Sequence, residues 1–269
     1  MRRNFLFVLV AALLPAYAWA VDGQVLINQA TVMAAGGFPY KITQPGSYKL
    51  TGNLTVPGNA DGIQIMAGSV TLDLNGFSIT GPVTCSGGQT GSAITCTGTA
   101  EVGITNYAGP AANITLKNGT VQGFWIGISL AGGTVVEIQA TGNQVNGMTV
   151  NNAILVRCNA SLNGGSGVAA SYSTVSDSNA YGNNGDGFSL LFSVLNHSAA
   201  TSNHDCSVVA GRTGLLGNVI LDNAYGICFG IQGVSLFGSN TISGAHADLA
   251  GSTSYALSQN NNSCSNGPC

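Results

Sequence analysis

Charged residues are scarce in this 269-residue chain. Only 6% of its residues are charged, and 10 Asp and Glu outnumber 7 Lys and Arg. A typical globular protein carries about a quarter charged residues, so this surface must consist largely of uncharged polar groups. The net charge of −3 excludes a basic surface of the kind that binds nucleic acid, and we expect no nucleic-acid partner.

The chain also lacks the patterns of helices, metal sites and membrane spans. No stretch after residue 20 keeps a 3.6-residue apolar period, and the 39 glycines favour turns, so we predict an all-β protein. The three histidines are scattered and no C-x-x-C pair occurs, so we predict no metal and no cofactor. No later apolar run is long enough to cross a bilayer, and we expect no transmembrane segment after export.

Residues 1–20 have the features of a cleaved signal peptide. Arg2 and Arg3 precede an apolar run from Phe5 to Leu14, and Ala18-Trp19-Ala20 is a small-x-small cleavage site. We predict cleavage after Ala20 and a secreted or periplasmic product. Both general and twin-arginine export remain open.

A period of twenty residues governs the middle of the chain. Its clearest members are five asparagines and four glycines: Asn143, Asn163, Asn183, Asn203 and Asn223, with Gly127, Gly147, Gly167 and Gly187. Each repeat contains three short segments with apolar residues at alternate positions, which predicts three strands per turn of a triangular parallel β-helix. We predict about eight or nine coils, with a signal peptide at 1–20, a cap and first strands at 21–60, the β-helix at 61–244 and a C-terminal cap or tail at 245–269.

This repeat resembles the right-handed β-helix of pectate lyases and polygalacturonases over about residues 41–243. It looks most like secreted bacterial β-helix proteins without assigned chemistry. The catalytic motifs are missing: Arg212 is followed by Thr-Gly-Leu instead of Arg-x-Pro-x-x-Arg, and no Gly-His-Gly or Asn-Thr-Asp segment occurs. The resemblance therefore implies a fold and no catalytic residue, because one fold hosts many functions.

The asparagine and glycine columns have structural interpretations. Stacked amides can satisfy each other and the backbone at a corner. We expect the glycines to adopt positive φ at the turn entering the first strand. The segment from Asn184 to Gly187 leaves a calcium-binding loop open as an alternative.

The seven cysteines allow three predicted disulfides. Cys85 and Cys96 lie within a glycine-rich insertion near residues 82–100, and Cys206 and Cys228 lie about one repeat apart. Cys264 and Cys269 would close a short loop in the tail. Cys158 remains as a buried thiol.

A column of ionisable residues recurs at the same period: Glu137, Arg157, Asp177 and His197, with Lys117 before them. One interpretation is a catalytic edge, in which Arg157 neutralises a uronate and its neighbours exchange protons. The other is a ladder of exposed ion pairs, each worth about 0.2–1 kcal/mol.

A second column contains Tyr172, Phe192 and Arg212, which we predict as ligand-binding residues for sugars. Nearby outward positions of the first strand carry no acid or base: Ser129, Thr149, Ala169, Ser189 and Val209. These patterns favour an exported, non-catalytic β-helix that binds carbohydrate or a cell-surface glycan as a monomer. A polysaccharide lyase or glycoside hydrolase using the Glu137–His197 column, and a purely structural surface protein, are the alternatives.

Overall fold

The chain forms a parallel β-solenoid of about 10 turns. The computed structural model describes residues 23–87, 93–106, 113–229, 235–244, 247–251, 256–258 and 262–265. The predicted all-β solenoid is confirmed, with one or two more turns than the repeat indicated. The predicted signal peptide lies outside the described residues.

Three stacked faces of parallel strands form the solenoid. The first face contains Tyr40–Ile42, Ile63–Ile65, Val102–Asn106, the starts of Ile126–Thr141 and Met148–Val156, Val168–Ser171, Phe188–Leu191, Cys206–Gly211, Tyr225–Phe229 and Ala247–Gly251. The second contains Gln24–Ile27, Gly46–Leu50, Val70–Asp73, the start of Ile114–Gln122, the middle of Ile126–Thr141, the end of Met148–Val156, Thr174–Ser176, Val194–Asn196, Gly214–Leu216, Ser235–Gly238 and Ala256–Ser258. The third contains Leu54–Thr55, Ser78–Thr80, the ends of Ile114–Gln122 and Ile126–Thr141, Asn159–Ser161, Asn179–Tyr181, Ala199–Thr201, Val219–Leu221, Thr241–Ser243 and Ser263–Cys264.

The twenty-residue period sets the register between coils. Val168 pairs with Phe188, and Phe188 pairs with Val208, each twenty positions apart. Side chains alternate across a strand, so these residues point into the core while their neighbours, such as Ser189, face outward. The apolar stack continues through the solenoid as one buried core.

Single residues with left-handed backbone form the three corners. At the first corner, between the first and second faces, these include Asn152, Tyr172, Phe192 and Arg212. At the second corner, between the second and third faces, they include Glu137, Arg157, Asp177, His197, Gly217 and Ser239. At the third corner they include Gly142, Leu162, Gly182, Ser202, Asp222 and Gly244. Both polar columns that the sequence revealed are therefore columns of corner residues.

The residue after a corner points inward and joins a ladder along the solenoid. The predicted asparagine ladder is confirmed: the side-chain amide of Asn163 donates to Asn183 Oδ1 at 2.9 Å, and the Asn163 backbone N–H donates to the same oxygen. Asn143, Asn163, Asn183, Asn203 and Asn223 form it from end to end. Each is at most 3% exposed, so these bonds satisfy polar groups that water cannot reach.

The other two corners have ladders that sequence analysis missed. At the first, Ser173 N–H donates to Ser193 Oγ at 3.1 Å. At the second, the ladder changes residue type: the acceptors are Ser178, Ser198, Asn218, Asn240 and Asn262. Cys158 begins this ladder as the predicted buried thiol, and burial raises its pKa to about 11.

The predicted reason for the glycine column is wrong. Gly127, Gly147, Gly167 and Gly187 do not have positive φ. A Cβ at Gly167 would instead lie 2.7 Å from Asn183 Nδ2 and 2.8 Å from the Gly187 carbonyl oxygen. Glycine is required because the chain passes close to the asparagine ladder.

Two of the predicted disulfides are present. Cys206 and Cys228 join neighbouring coils, with Cα atoms 6.0 Å apart. Cys85 and Cys96 join the two strands of an antiparallel hairpin, Thr84–Ser86 and Thr95–Thr97. The third predicted pair includes Cys269, which lies outside the described residues.

The N-terminal part of the described chain already belongs to the solenoid. Tyr40–Ile42 pairs in register with Ile63–Ile65. The one helix among the described residues, Gln29–Ala34, begins at the N-cap Asn28 and buries Val32 in the core. No helix in the described part of the chain is long and apolar enough to span a membrane.

Candidate functional site

An open groove of about 470 Å³ runs along the outer side of the first face. Its floor comes from the outward positions of successive coils, including the five positions that the sequence showed to be free of acids and bases. Six coils contribute, from Asn106 to Val209, and five steps of strand spacing give a length of about 24 Å. No ionisable side chain among the described residues lines this groove.

Hydroxyl and amide groups supply the polar part of the groove: Asn106, Ser129, Thr149, Asn151, Ser171 and Ser189. One of them is held rigidly, because Asn106 donates to the Ala131 carbonyl at 3.0 Å and accepts from the Ala131 N–H at 2.7 Å. Aliphatic side chains such as Ala169 and Val209 fill the remainder of the floor. The surface therefore combines hydrogen-bonding groups with apolar patches.

The first corner borders one side of the groove. Tyr172 directly follows the groove residue Ser171, and its ring stacks on Phe192 with centroids 4.9 Å apart and planes 4° apart. Arg212 lies over the Phe192 ring at 5.3 Å. Because the three residues occupy successive coils, Phe192 is covered on both faces, while Tyr172 is 56% exposed. The three residues of the predicted ligand-binding column thus form one continuous stack, in which the Tyr172 ring is the first member and is exposed.

Two carboxyl groups lie where the strands enter the first face. Asp186 accepts hydrogen bonds from the hydroxyl of Ser189, on the groove floor, and from the Cys206 N–H. Burial, together with the neighbouring Asp205, raises the pKa of Asp186 to about 6, although these hydrogen bonds oppose the shift. Asp186 and Asp205 form a cluster with the sulfur of Cys206, which is bonded to Cys228. Calcium prefers six or more oxygen ligands. The two carboxyl groups of this cluster would therefore supply only part of a calcium site.

The ionisable column of the second corner lies at the far end of the second face. Glu137, Arg157, Asp177 and His197 are all exposed, and none of these four lines the groove. Arg157 Nε donates to Glu137 Oε1 at 2.9 Å, with both side chains more than half exposed. Since Gly217 follows His197 in this column, the imidazole packs beside a residue without a side chain.

Lys117 does not precede this column. It pairs in register with Val136 and forms an ion pair with Asp73 at 3.5 Å. The corner position belongs to Asn118, which has a positive φ of 61°. The predicted position of Lys117 is wrong by one residue. The strand before this corner pairs with the next coil at a separation of nineteen positions, as Lys117 and Val136 do, instead of twenty.

Sequence analysis located the bare floor of the groove and its aromatic border but missed its other polar residues. Asn106 was missed because its coil precedes the strict repeat. Asp186 and Asp205 were missed as a pair because they are nineteen positions apart and so fall in different columns. They come together because Asp205 stacks on Gly185, the residue next to Asp186, and its N–H donates to the Gly185 carbonyl at 3.4 Å.

Solved structures that align with this chain include enzymes and a phage protein. Pectate lyase Pel9A aligns over 89% of this chain and 69% of its own, with TM-score 0.59 and 14% identity. The A-module of mannuronan C-5 epimerase AlgE4 from Azotobacter vinelandii aligns over 88% of this chain and 93% of its own, with TM-score 0.48 and 14% identity. The enzymatically active domain of bacteriophage CBA120 tailspike protein 2 aligns over 84% of this chain and 40% of its own, with TM-score 0.49 and 11% identity.

No family model and no curated protein matches the sequence. At 14% identity, the alignment with Pel9A establishes the architecture and leaves the chemistry of the site to its own residues. The chain therefore has the parallel β-helix fold that Pel9A also has.

Proposed function

We propose that this protein is an exported, non-catalytic carbohydrate-binding β-helix that acts as a monomer and binds a polysaccharide in the groove of the first face. The observation that carries the proposal is the groove itself. It extends across six coils, and hydroxyl, amide and aliphatic groups form its floor. Sugar chains need this combination, because their hydroxyls form hydrogen bonds and their C–H faces pack on apolar surface.

The aromatic border supports the same function. Tyr172 presents an exposed ring beside the floor and is held in place by its stack on Phe192 and Arg212. Pre-ordered side chains lose little conformational entropy when a ligand binds. The name of Pel9A describes it as a lyase of pectate, so a polysaccharide-acting protein shares this fold.

The groove supports binding and offers little for catalysis. Acid–base catalysis needs a titratable group within hydrogen-bond reach of the substrate. The described groove floor has none, and Asp186, at the edge where the strands enter, is half-buried and already bonded to Ser189 and to the Cys206 N–H. The alternative is a lyase or hydrolase that acts through the second-corner column of Glu137, Arg157, Asp177 and His197. These four side chains are exposed and lie outside the groove, which weakens this alternative.

Export is supported by two observations. Residues 1–20 have the features of a signal peptide, and the two described disulfides are of a kind that persists in oxidising compartments. N-terminal sequencing of the protein recovered outside the cytoplasm should give Val21 as the first residue. A mature protein that retains Arg2 and Arg3 would refute this part.

Blocking the groove tests the binding site. Ala169 faces outward in the centre of the floor, so Ala169→Trp should fill the groove and abolish binding of glycans that the unmodified protein retains on an array. Ala199→Trp adds the same ring to the outward side of the third face and should leave binding unchanged. Equal melting temperatures would confirm that both variants fold. Unchanged binding by Ala169→Trp would refute the groove as the site.

A further inference from the structure

The charge distribution around the groove indicates which class of polysaccharide it takes. We propose that the groove binds an uncharged polysaccharide and discriminates against polyuronates. This inference rests on the glycan-binding function proposed above and adds the chemical class of the ligand.

The first argument comes from the floor. A polyuronate carries a carboxylate on every sugar, and a bound segment would place several of them against a surface about 24 Å long. Placing a carboxylate on a partly dehydrated surface is costly unless a cation or several hydrogen-bond donors compensate it. The described floor offers neither Lys, Arg nor His, and its aliphatic positions, such as Ala169 and Val209, donate nothing.

The second argument comes from the edge where the strands enter. Asp186 is hydrogen-bonded to the floor residue Ser189, and Asp205 lies beside it. Two acidic side chains at this edge repel an anionic chain entering the groove, and such like-charge contacts are an effective means of specificity.

The third argument concerns the cation at the opposite border. Arg212 follows the groove residue Gly211, and its guanidinium lies over the Phe192 ring. One guanidinium can pair with one carboxylate, so the remaining carboxylates of a polyuronate segment would stay without a partner. Neutral sugars avoid this cost while using the same hydroxyl and amide groups of the floor.

Titration calorimetry with matched hexasaccharides tests the inference. The neutral set contains glucan, mannan, galactan and xylan hexamers, and the anionic set contains galacturonan and mannuronan hexamers. We expect the best neutral hexamer to bind at least about tenfold more tightly than either uronate, a difference of about 1.4 kcal/mol. We also expect its affinity to change little with salt, because no ion pair forms.

A gain-of-function variant makes the test independent of the choice of neutral sugars. Ala169→Lys adds one cation to the centre of the floor and should raise uronate affinity about tenfold, with Ala199→Lys on the third face as its control. Uronates that bind the unmodified protein as tightly as neutral sugars would overturn the inference and leave glycan binding intact. Failure of every hexamer to bind, with or without the lysine, would overturn the proposed function and the inference together.

Discussion

At the scale of single residues, each corner needs two consecutive residues with different tasks. The first adopts left-handed backbone and points outward, as Tyr172 and Asp177 do. The second points inward, and its side-chain oxygen accepts an N–H from the preceding coil, as Ser173 and Ser178 do. The outward residue is free to vary, while the inward residue must offer an oxygen or fill the core.

This division explains what the sequence could reveal. The asparagine ladder was predictable because one residue type occupies five successive coils. The second-corner ladder escaped detection because its acceptors change from Ser to Asn after Ser198, and residue identity hides their shared chemistry. The sequence also revealed the glycine column but not the reason for it. The reason is the close approach of the backbone to the asparagine ladder of the next coil, and a single sequence does not show such distances.

Replacing a central ladder residue should destabilise the fold strongly. Asn183→Ala removes the acceptor of both Asn163 donors and leaves them buried, so we expect a loss of about 2–3 kcal/mol in the free energy of unfolding. Asn159→Ala is the matched control, because the Asn159 amide oxygen accepts no hydrogen bond from the described residues. Denaturant unfolding measures both, and equal losses would contradict the role of the ladder.

The glycine column makes a second prediction about stability. Gly167→Ala places a methyl group against Asn183 Nδ2 and the Gly187 carbonyl, so we expect a cost of about 1–3 kcal/mol. Gly214→Ala is the control: its Cβ would meet only Val194 Cγ2 at 3.8 Å, and its cost should stay within about 0.5 kcal/mol. Similar melting temperatures for the two variants would exclude the close approach as the reason for glycine.

Asp186 should make stability depend on pH in a defined direction. Its pKa is raised from 3.8 to about 6 in the folded protein, so the folded state binds the proton more tightly than the unfolded state. The resulting stabilisation is present below pH 3.8 and is lost as pH rises through about 6. Asp186→Asn keeps an acceptor for the Cys206 N–H and removes this titration.

The melting temperature of Asp186→Asn relative to the unmodified protein should therefore rise between about pH 4 and about pH 7. Asp177→Asn, the same substitution at an exposed corner, is measured alongside as the control. A pH-independent difference for Asp186→Asn would show that burial beside Asp205 does not hold the proton.

At the scale of elements, the three faces carry different outward surfaces. The repeat predicted three strands per coil and identified the bare outward positions of the first strand. It did not predict a groove there, because concavity depends on how the bordering loops and corners project from the coil. The first face is the candidate site because Tyr172 borders it on one side and Asp186 lies at the edge where its strands begin.

The second corner should prove dispensable for both stability and binding. Arg157→Ala removes an ion pair that is more than half exposed, so we expect a loss of about 0.2–1 kcal/mol and no change in glycan affinity. Alanine retains the same left-handed corner that arginine occupies, so the backbone cost is equal. A loss of glycan binding or of measurable polysaccharide cleavage in this variant would instead support the catalytic interpretation of the column.

At the scale of the whole molecule, the solenoid turns a periodic sequence into an extended, nearly uncharged surface. Six successive coils contribute outward residues of their first strands to the groove, so the groove's length follows from the number of coils in register. The strict repeat made this part predictable. The coils before residue 124 were less so, because the hairpin with Cys85 and Cys96 interrupts their spacing.

Hydrogen exchange of the protein with and without its best-binding neutral hexasaccharide tests the location of the site most directly. We predict that bound sugar slows exchange in residues 148–151, the first-face part of Met148–Val156, and in Val168–Ser171 and Phe188–Leu191. Segments around Glu137, Arg157, Asp177 and His197 should exchange at unchanged rates. Protection confined to that second corner, with the first face unaffected, would contradict the account.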